Sequence, residues 1–278
     1  MARFFFKFYY IALDKYYGSQ RQKNVLTIED RVIKTLKERG YIHDVNASQF
    51  ESASRTDRYV SARGAVFAAN MLRDPILMEL NAHLPNEIGI WAHSKVPNNY
   101  SPRFEAQMRH YRYIVPWPLS FLKKKYNFDF SLVNRACKQL EGVHDFQNFS
   151  KRDSSTNNTV RDMKSIETST VDEVIIFDFK SEAFLRQQIR RIAQKLIELG
   201  KGELSYEAFA KLLDPSEFKS FEPANPKGLI LWDIKYNNEF INFKIDEKSV
   251  ARMNNFFFHQ KMRSFLHHNL FSIMQGEK

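Results

Sequence analysis

Residues 161–180 read RDMKSIETSTVDEVIIFDFK, and their pattern sets the fold class. The spacing predicts two strands, 161–169 and 173–180, joined by a tight turn. In the second, Val174 and Ile176 face one side and Ile175 and Phe177 the other. Strands that pair through so short a turn are antiparallel. Downstream, Leu185, Ile189, Ile192, Ala193 and Leu196 form an apolar stripe that predicts a helix over 184–199, stopped by Gly200. A short helix at 205–213 and a strand at 228–236 complete this side.

Upstream, residues 147–160 are polar and read as a loop. A helix near 131–141 ends at Gly142. Strands are expected at 109–116, 88–96 and 64–70, and Asp74-Pro75 opens a short helix. Thr27 caps a helix with Ile28, Val32 and Leu36 on one face and Gly40 just past its end. Residues 3–13 are aromatic-rich and read as a first strand; Lys7 and Asp14 interrupt them and no small-residue cleavage site follows, which argues against a signal peptide. The fold class is therefore α+β, a mixed, largely antiparallel sheet flanked by helices. Residues 237–278 combine apolar and basic side chains, including Phe256-Phe257-Phe258, and read as a helix packed on the body.

Composition narrows the function. Lys plus Arg number 42 against 32 Asp plus Glu, a formal charge of +10 that suits a polyanionic partner such as nucleic acid. The single cysteine, Cys137, permits no disulfide framework, fits a reducing cytoplasm, and lies among Val133, Ala136 and Leu140 like a core thiol. No apolar run is long enough to span a membrane. Neither a phosphate-binding glycine loop nor a histidine pair with zinc spacing occurs. Chemistry is thus expected from carboxylates, arginines and aromatics acting without a metal, and nucleotide cofactors have no evident cradle.

One stretch concentrates those groups: Ser54-Arg55-Thr56-Asp57-Arg58-Tyr59-Val60-Ser61-Ala62. A carboxylate between two guanidinium groups, in a loop before a strand, is charged and free to act as nucleophile or base. On spacing alone the same residues also suit a surface ion-pair cluster.

This stretch resembles the Gly/Ser-R-T-D-x-x-V-His/Ser-A motif of the tRNA pseudouridine synthase A family. Further segments follow in the family's order. Tyr10, Gly18, Gln20, Gln22, Thr27 and Glu29 match its first strand, turn and helix. Asn81-Ala82-His83-Leu84-Pro85 resembles N-x-x-L-P, and Arg103-Phe104-Glu105-Ala106 resembles R-F-x-A. Arg109-His110-Tyr111-Arg112-Tyr113 is similar to R-x-Y-R-Y, and residues 142–150 to G-x-H-D-F-x-x-F. Thr159-Val160-Arg161, Phe184-Leu185 with Ile189-Arg190, and Ala224, Pro226 and Gly228-Leu229 echo its later motifs. Arg58-Tyr59 and Ser61 depart from the usual bacterial Ala-Gly and His, and Arg186-Gln187 replaces a common His pair.

The resemblance covers about residues 3–236 and implies two similar halves, 1–108 and 109–236, around a basic cleft; residues 237–278 lie beyond it and read as a helical C-terminal extension. It implies isomerisation of uridine to pseudouridine in the anticodon stem-loop of tRNA, at positions 38, 39 and 40, by a cytoplasmic homodimer. It makes Asp57 the catalytic residue and Arg190 the arginine paired with it. Tyr111 is then the tyrosine that stacks on the target base, Leu229 packs under the uracil, and Arg55 fills the space that the flipped nucleotide leaves. Tyr111 and Tyr113, two apart on a strand, share a face, and one of them is expected to be a core residue. The same residues left an alternative open, an RNA-binding protein without activity; the joint presence of Asp57, Tyr111 and Arg190 argues against it.

Overall fold

Alternation along β1 (Ala2–Tyr10) sends Phe4, Phe6, Phe8 and Tyr10 to one face of a sheet and Phe5, Lys7 and Tyr9 to the other. The computed structural model describes residues 1–151, 158–237 and 239–276. Helix α1 (Ile28–Glu38) follows, and its start is set by a capping box in which the Thr27 side chain accepts from the Asp30 backbone and Asp30 answers. Gly40, at φ 68°, turns the chain out of the helix. Then come β2 (Glu51–Ser52), β3 (Ser61–Met71), α2 (Leu77–His83) and β4 (Ile88–Val96).

The second half runs β5 (Ala106–Ile114), α3 (Leu119–Tyr126), α4 (Phe130–Leu140), β6 (Gly142–Asp145), β7 (Val160–Val171) and β8 (Val174–Ser181). After it come α5 (Gln188–Gly200), α6 (Tyr206–Ala210), β9 (Leu229–Tyr236), β10 (Lys244–Ile245) and α7 (Glu247–Met274). Together the strands form one sheet in the order β10-β4-β1-β3-β9-β5-β8-β7-β6, with β2 paired to β3. Every pairing is antiparallel except β3 with β9, which touch at Ser61↔Ile230 and Ala62↔Leu231.

That parallel contact is the seam between two copies of one plan. On one side β1, β3, α2 and β4 give the order β4-β1-β3; on the other β5, β8, α5 and β9 give β9-β5-β8 with the same strand senses. The main core is continuous across the seam and includes the fully buried Phe5, Phe6, Phe67, Phe146, Phe149, Phe177 and Phe179. Each such ring contributes roughly 1.5–3 kcal/mol, opposed by the entropy of ordering the chain. Cys137 is buried in it, as its neighbours imply.

Several elements differ from expectation. β1 ends at Tyr10 rather than at residue 13, where Ile11 turns its N–H to Glu87. Helix α5 starts at Gln188, not at residue 184: Gln187 is left-handed at φ 61°, and the Leu185 N–H donates to the Gln188 side chain instead of a helical carbonyl. Helix α3 lacked a pattern because only Leu122 on it is buried. Within the loop expected at 147–160, residues 152–157 lie outside the described residues. The helix expected within 237–278 is present as α7, but only its base packs. There Val250, Met253, Phe256 and Phe257 meet Tyr9 and Trp91 in a second, small core.

Candidate active site

The loop 53–60 leaves the sheet where the Ala53 N–H donates to Val66 and rejoins it at Ser61, on the seam. Its middle is pinned from below. Buried Thr56 bonds through its hydroxyl to Tyr10 Oη (2.8 Å), donates its N–H to Ser19 Oγ (2.8 Å) and accepts the Ser19 N–H (3.2 Å). Gly18 is required beside it: at φ 104° a Cβ there would lie 3.0 Å from the Thr56 carbonyl oxygen. Ser61 Oγ accepts the Ala12 N–H at 3.1 Å. At the loop's start, buried Arg109 donates Nε to Ser54 Oγ (2.8 Å) and Nη2 to the Ala53 carbonyl (3.0 Å).

This framework holds Asp57 in a turn that the Val60 N–H closes onto the Asp57 carbonyl at 3.2 Å, with Tyr59 left-handed at φ 68°. Arg190, in the first turn of α5, reaches across the seam and donates Nη1 to Asp57 Oδ2 at 3.2 Å. The two residues are 133 apart in sequence, so the fold, not local chain geometry, makes the pair. The Arg190 side chain is only 10% exposed and that of Asp57 34%, so the carboxylate is fixed on one side and open on the other. Arg190 is itself aimed by its Nε, which donates to the Ala224 carbonyl at 2.7 Å, while the Ala224 N–H returns a bond to the Arg190 carbonyl.

Around the pair lies an apolar wall. Tyr111 is buried, edge-on to Phe184 with centroids 5.3 Å apart. Burial pushes its hydroxyl up to about 12; Arg109 and a hydrogen bond with Ser54 pull it back and the Asp57 charge raises it, so this phenol faces the loop. Tyr113 is also buried and pushed up to about 12 by desolvation, offset by the nearby charge of Arg190. Leu229 sits opposite Tyr113 in the β5–β9 ladder and is buried. The preceding Gly228 admits no side chain, because a Cβ would fall 2.6 Å from the Ile114 carbonyl oxygen.

Asp57 and Arg190 thus meet, with Tyr111 near the carboxylate and Tyr113 near the guanidinium; Leu229 lies next to Tyr113, and Arg55 is exposed at the loop's surface, two residues from the carboxylate. Arg58 departs from the picture of a carboxylate flanked by guanidinium groups: it stacks over Tyr17 and Tyr59, 3.9 and 4.3 Å from their ring centroids. The carboxylate's partner is the distant Arg190. Arg109 is the supporting residue that sequence reading placed in a motif without a role. Apart from the Ser54 hydroxyl its acceptors are backbone carbonyls, which leave no side-chain signature. Among the described residues no group of three or more His, Cys, Asp or Glu is placed to hold a metal ion, and no helix is long and apolar enough to cross a membrane.

Such a site, an oriented and half-open carboxylate beside buried tyrosine side chains, can act as a nucleophile or base toward a group that enters from its open side. Comparison with known proteins gives the same direction. A family model described as tRNA pseudouridine synthase matches residues 136–237. The tRNA pseudouridine synthase A of Pyrococcus furiosus is 37% identical over 243 residues, covering 86% of this chain and 85% of that one. That of Archaeoglobus fulgidus is 36% identical over 248 residues, 89% of this chain and 88% of the relative. A chain of the crystal structure of a Cbf5-Nop10-Gar1 complex shares 13% identity at a TM-score of 0.33, over 69% of this chain and 44% of that chain. With identity sustained at this level over nearly the full length of both sequences, the chain belongs to the tRNA pseudouridine synthase A family.

Proposed function

We propose that this chain isomerises uridine to pseudouridine in the anticodon stem-loop of tRNA, at positions 38, 39 and 40, with Asp57 as the catalytic residue. The observation that carries the reading is the Asp57–Arg190 pair at 3.2 Å, joined across the seam inside a wall of tyrosine and leucine. The reaction breaks N1–C1′, turns the base and forms C5–C1′; the C5 hydrogen leaves as a proton and N1 gains one, so atoms balance without a cofactor. Asp57 serves it either by attacking C1′ or by taking a ribose proton on a glycal-like route. Arg190 holds the carboxylate, the Tyr111 ring stacks on the uracil, Leu229 packs under it, and Arg55 enters the stack that the target nucleotide has left.

The two halves, 1–108 and 109–236, form the walls of the cleft, 237–278 is an extension, and family membership supports a homodimer working in the cytoplasm on tRNA. The net charge of +10 supports a phosphate-binding surface around the site. Release of tritium from tRNA carrying 5-tritiated uridine tests the chemistry. Asp57→Asn is expected to lose turnover by at least about a hundredfold while tRNA affinity stays within a few-fold, because one carboxylate does the chemistry and many basic groups bind. Near-normal release by that variant would remove Asp57 from the role. Mapping pseudouridine in a deletion strain tests the assignment to positions 38, 39 and 40.

A further inference from the structure

About 17 Å from the tyrosine wall, five residues back along β5 from Tyr111, the sheet ends in a second concavity. Its volume is about 590 Å³, in the range of small-molecule and base-binding sites, and its lining includes Tyr100, Phe104, Phe240, Glu105, Gln107 and Glu182. Phe104 is 78% exposed and Phe240 59%, a large apolar exposure for rings that line one cavity. The turn that carries Tyr100 and Phe104 is held in place. Arg3 Nε donates to the Tyr100 carbonyl (2.6 Å), Tyr236 Oη to the Pro102 carbonyl (2.8 Å), and Ser101 Oγ to Glu51 (2.8 Å).

The cavity is also tied to the catalytic loop. Arg109, which bonds Ser54 and Ala53 there, also donates to the carbonyls of Arg103 and Glu182. One buried guanidinium therefore fixes the distance between the catalytic loop and the cavity wall. No lysine or arginine is among the lining residues, and the guanidinium of Arg103 lies against one lining ring, 5.5 Å from the Phe104 centroid, which leaves the ring's other face for a stacked base. Aromatic rings offer flat faces for stacking, and two carboxylates offer acceptors for N–H donors, whereas a phosphate would meet like charge.

We propose that this cavity binds an unpaired nucleobase bearing an exocyclic amino group, supplied by the substrate RNA a few nucleotides from the target uridine. The base stacks on Phe104 and Phe240 and donates its amino group to Glu105 or Glu182. The inference rests on the reading of the chain as acting on tRNA, and adds to it a contact that registers the RNA against Asp57.

The test uses the full chain and transcribed tRNA, with tritium release for kcat and KM and filter binding for Kd. Phe104→Ala and Phe240→Ala are each expected to raise Kd and KM about 5- to 100-fold, the effect of losing one stacked base, with kcat at saturation within about two-fold. Phe104→Trp should restore binding. Since both rings are exposed, unfolding midpoints should not move; a shifted midpoint with unchanged Kd would reduce the rings to a structural role and overturn the proposal. Glu182→Gln decides the role of the carboxylates: affinity falls if they accept from a base and rises if they only repel phosphate, and a rise overturns the proposal. Abasic substitution around the target should show one nucleotide whose removal cancels the effect of Phe104→Ala; no such nucleotide, even if free cytidine or adenosine monophosphate competes with tRNA, rejects an RNA base as the occupant. Wild-type chain that binds tRNA without releasing tritium would sink the catalytic reading, while the Kd measurements would still judge the cavity.

Discussion

Helices α5 and α7 carry comparable apolar content and meet opposite fates. Ten of the thirteen residues of α5 are buried, among them Arg190 and Arg191; of the twenty-eight in α7 only Ser249 and Met253 are. The difference lies in position. α5 packs on α4 and on β5 beside the seam, so every side of it meets the body except a narrow strip. α7 starts at the sheet edge beside β4 and α2, where Asp246 caps it and Arg252 holds it to Tyr9 Oη at 3.0 Å, and then runs on past anything to pack against. Phe258, Met262, Phe265, Leu266 and Ile273 consequently remain exposed. Apolar side chains generate stability only where a second surface receives them.

Substitutions along the two helices should therefore rank by setting rather than by residue type. Leu196→Ala, in the fully buried face of α5, should cost about 2–5 kcal/mol in urea unfolding, through lost transfer energy and the cavity left behind. A cost below about 1 kcal/mol would mean that α5 is not the tightly packed element described. Arg190→Ala should lower kcat at least about a hundredfold, because it removes the group that aims the carboxylate; retained turnover would separate the pair from catalysis. Met253→Ala, at the base of α7, should destabilise by about 2 kcal/mol, the low end for a buried methionine, since its cluster is small. Cys137, on the face of α4 that meets the core, has its thiol pushed up to about 12 by burial, so at pH 8 the folded chain holds the neutral form. Alkylation there should proceed orders of magnitude more slowly than in the unfolded chain, and fast labelling would show that the core around α4 and α5 opens readily. Smallest of all, Phe265→Gln on the exposed part of α7 should change stability by no more than about 0.5 kcal/mol. A large loss there would show that α7 is covered in solution and would break the comparison.

What could be read from the chain follows the same division between local and distant causes. Helix α1 was legible because its cap, stripe and terminal glycine are neighbours in sequence. The β7–β8 hairpin was legible because its alternation is local and its turn short. The start of α5 was not, since Leu185 and Ile189 keep helical spacing although the backbone at Gln187 is left-handed. At the site, Asp57 between two arginines was visible as a candidate, but only the resemblance to a family motif set it apart from a surface ion-pair cluster. Arg190 lies beside the apolar stripe, so helical spacing gave no sign that its side chain would be only 10% exposed; the resemblance alone pointed to its pairing with Asp57. Tyr113 and Arg109 were assigned no part because their partners, the Arg190 charge and a set of backbone carbonyls, come from segments far along the chain.

The parallel contact between β3 and β9 is two residue pairs long, and Asp57 and Arg190 stand on opposite banks of it. A join so short keeps the banks in register with little backbone pairing, and the rest of their alignment comes from the core they share and from the side-chain bond between them. The position of the Asp57 carboxylate is thereby set from both banks at once: a substitution that shifts Arg190 on one changes what the carboxylate on the other is bonded to.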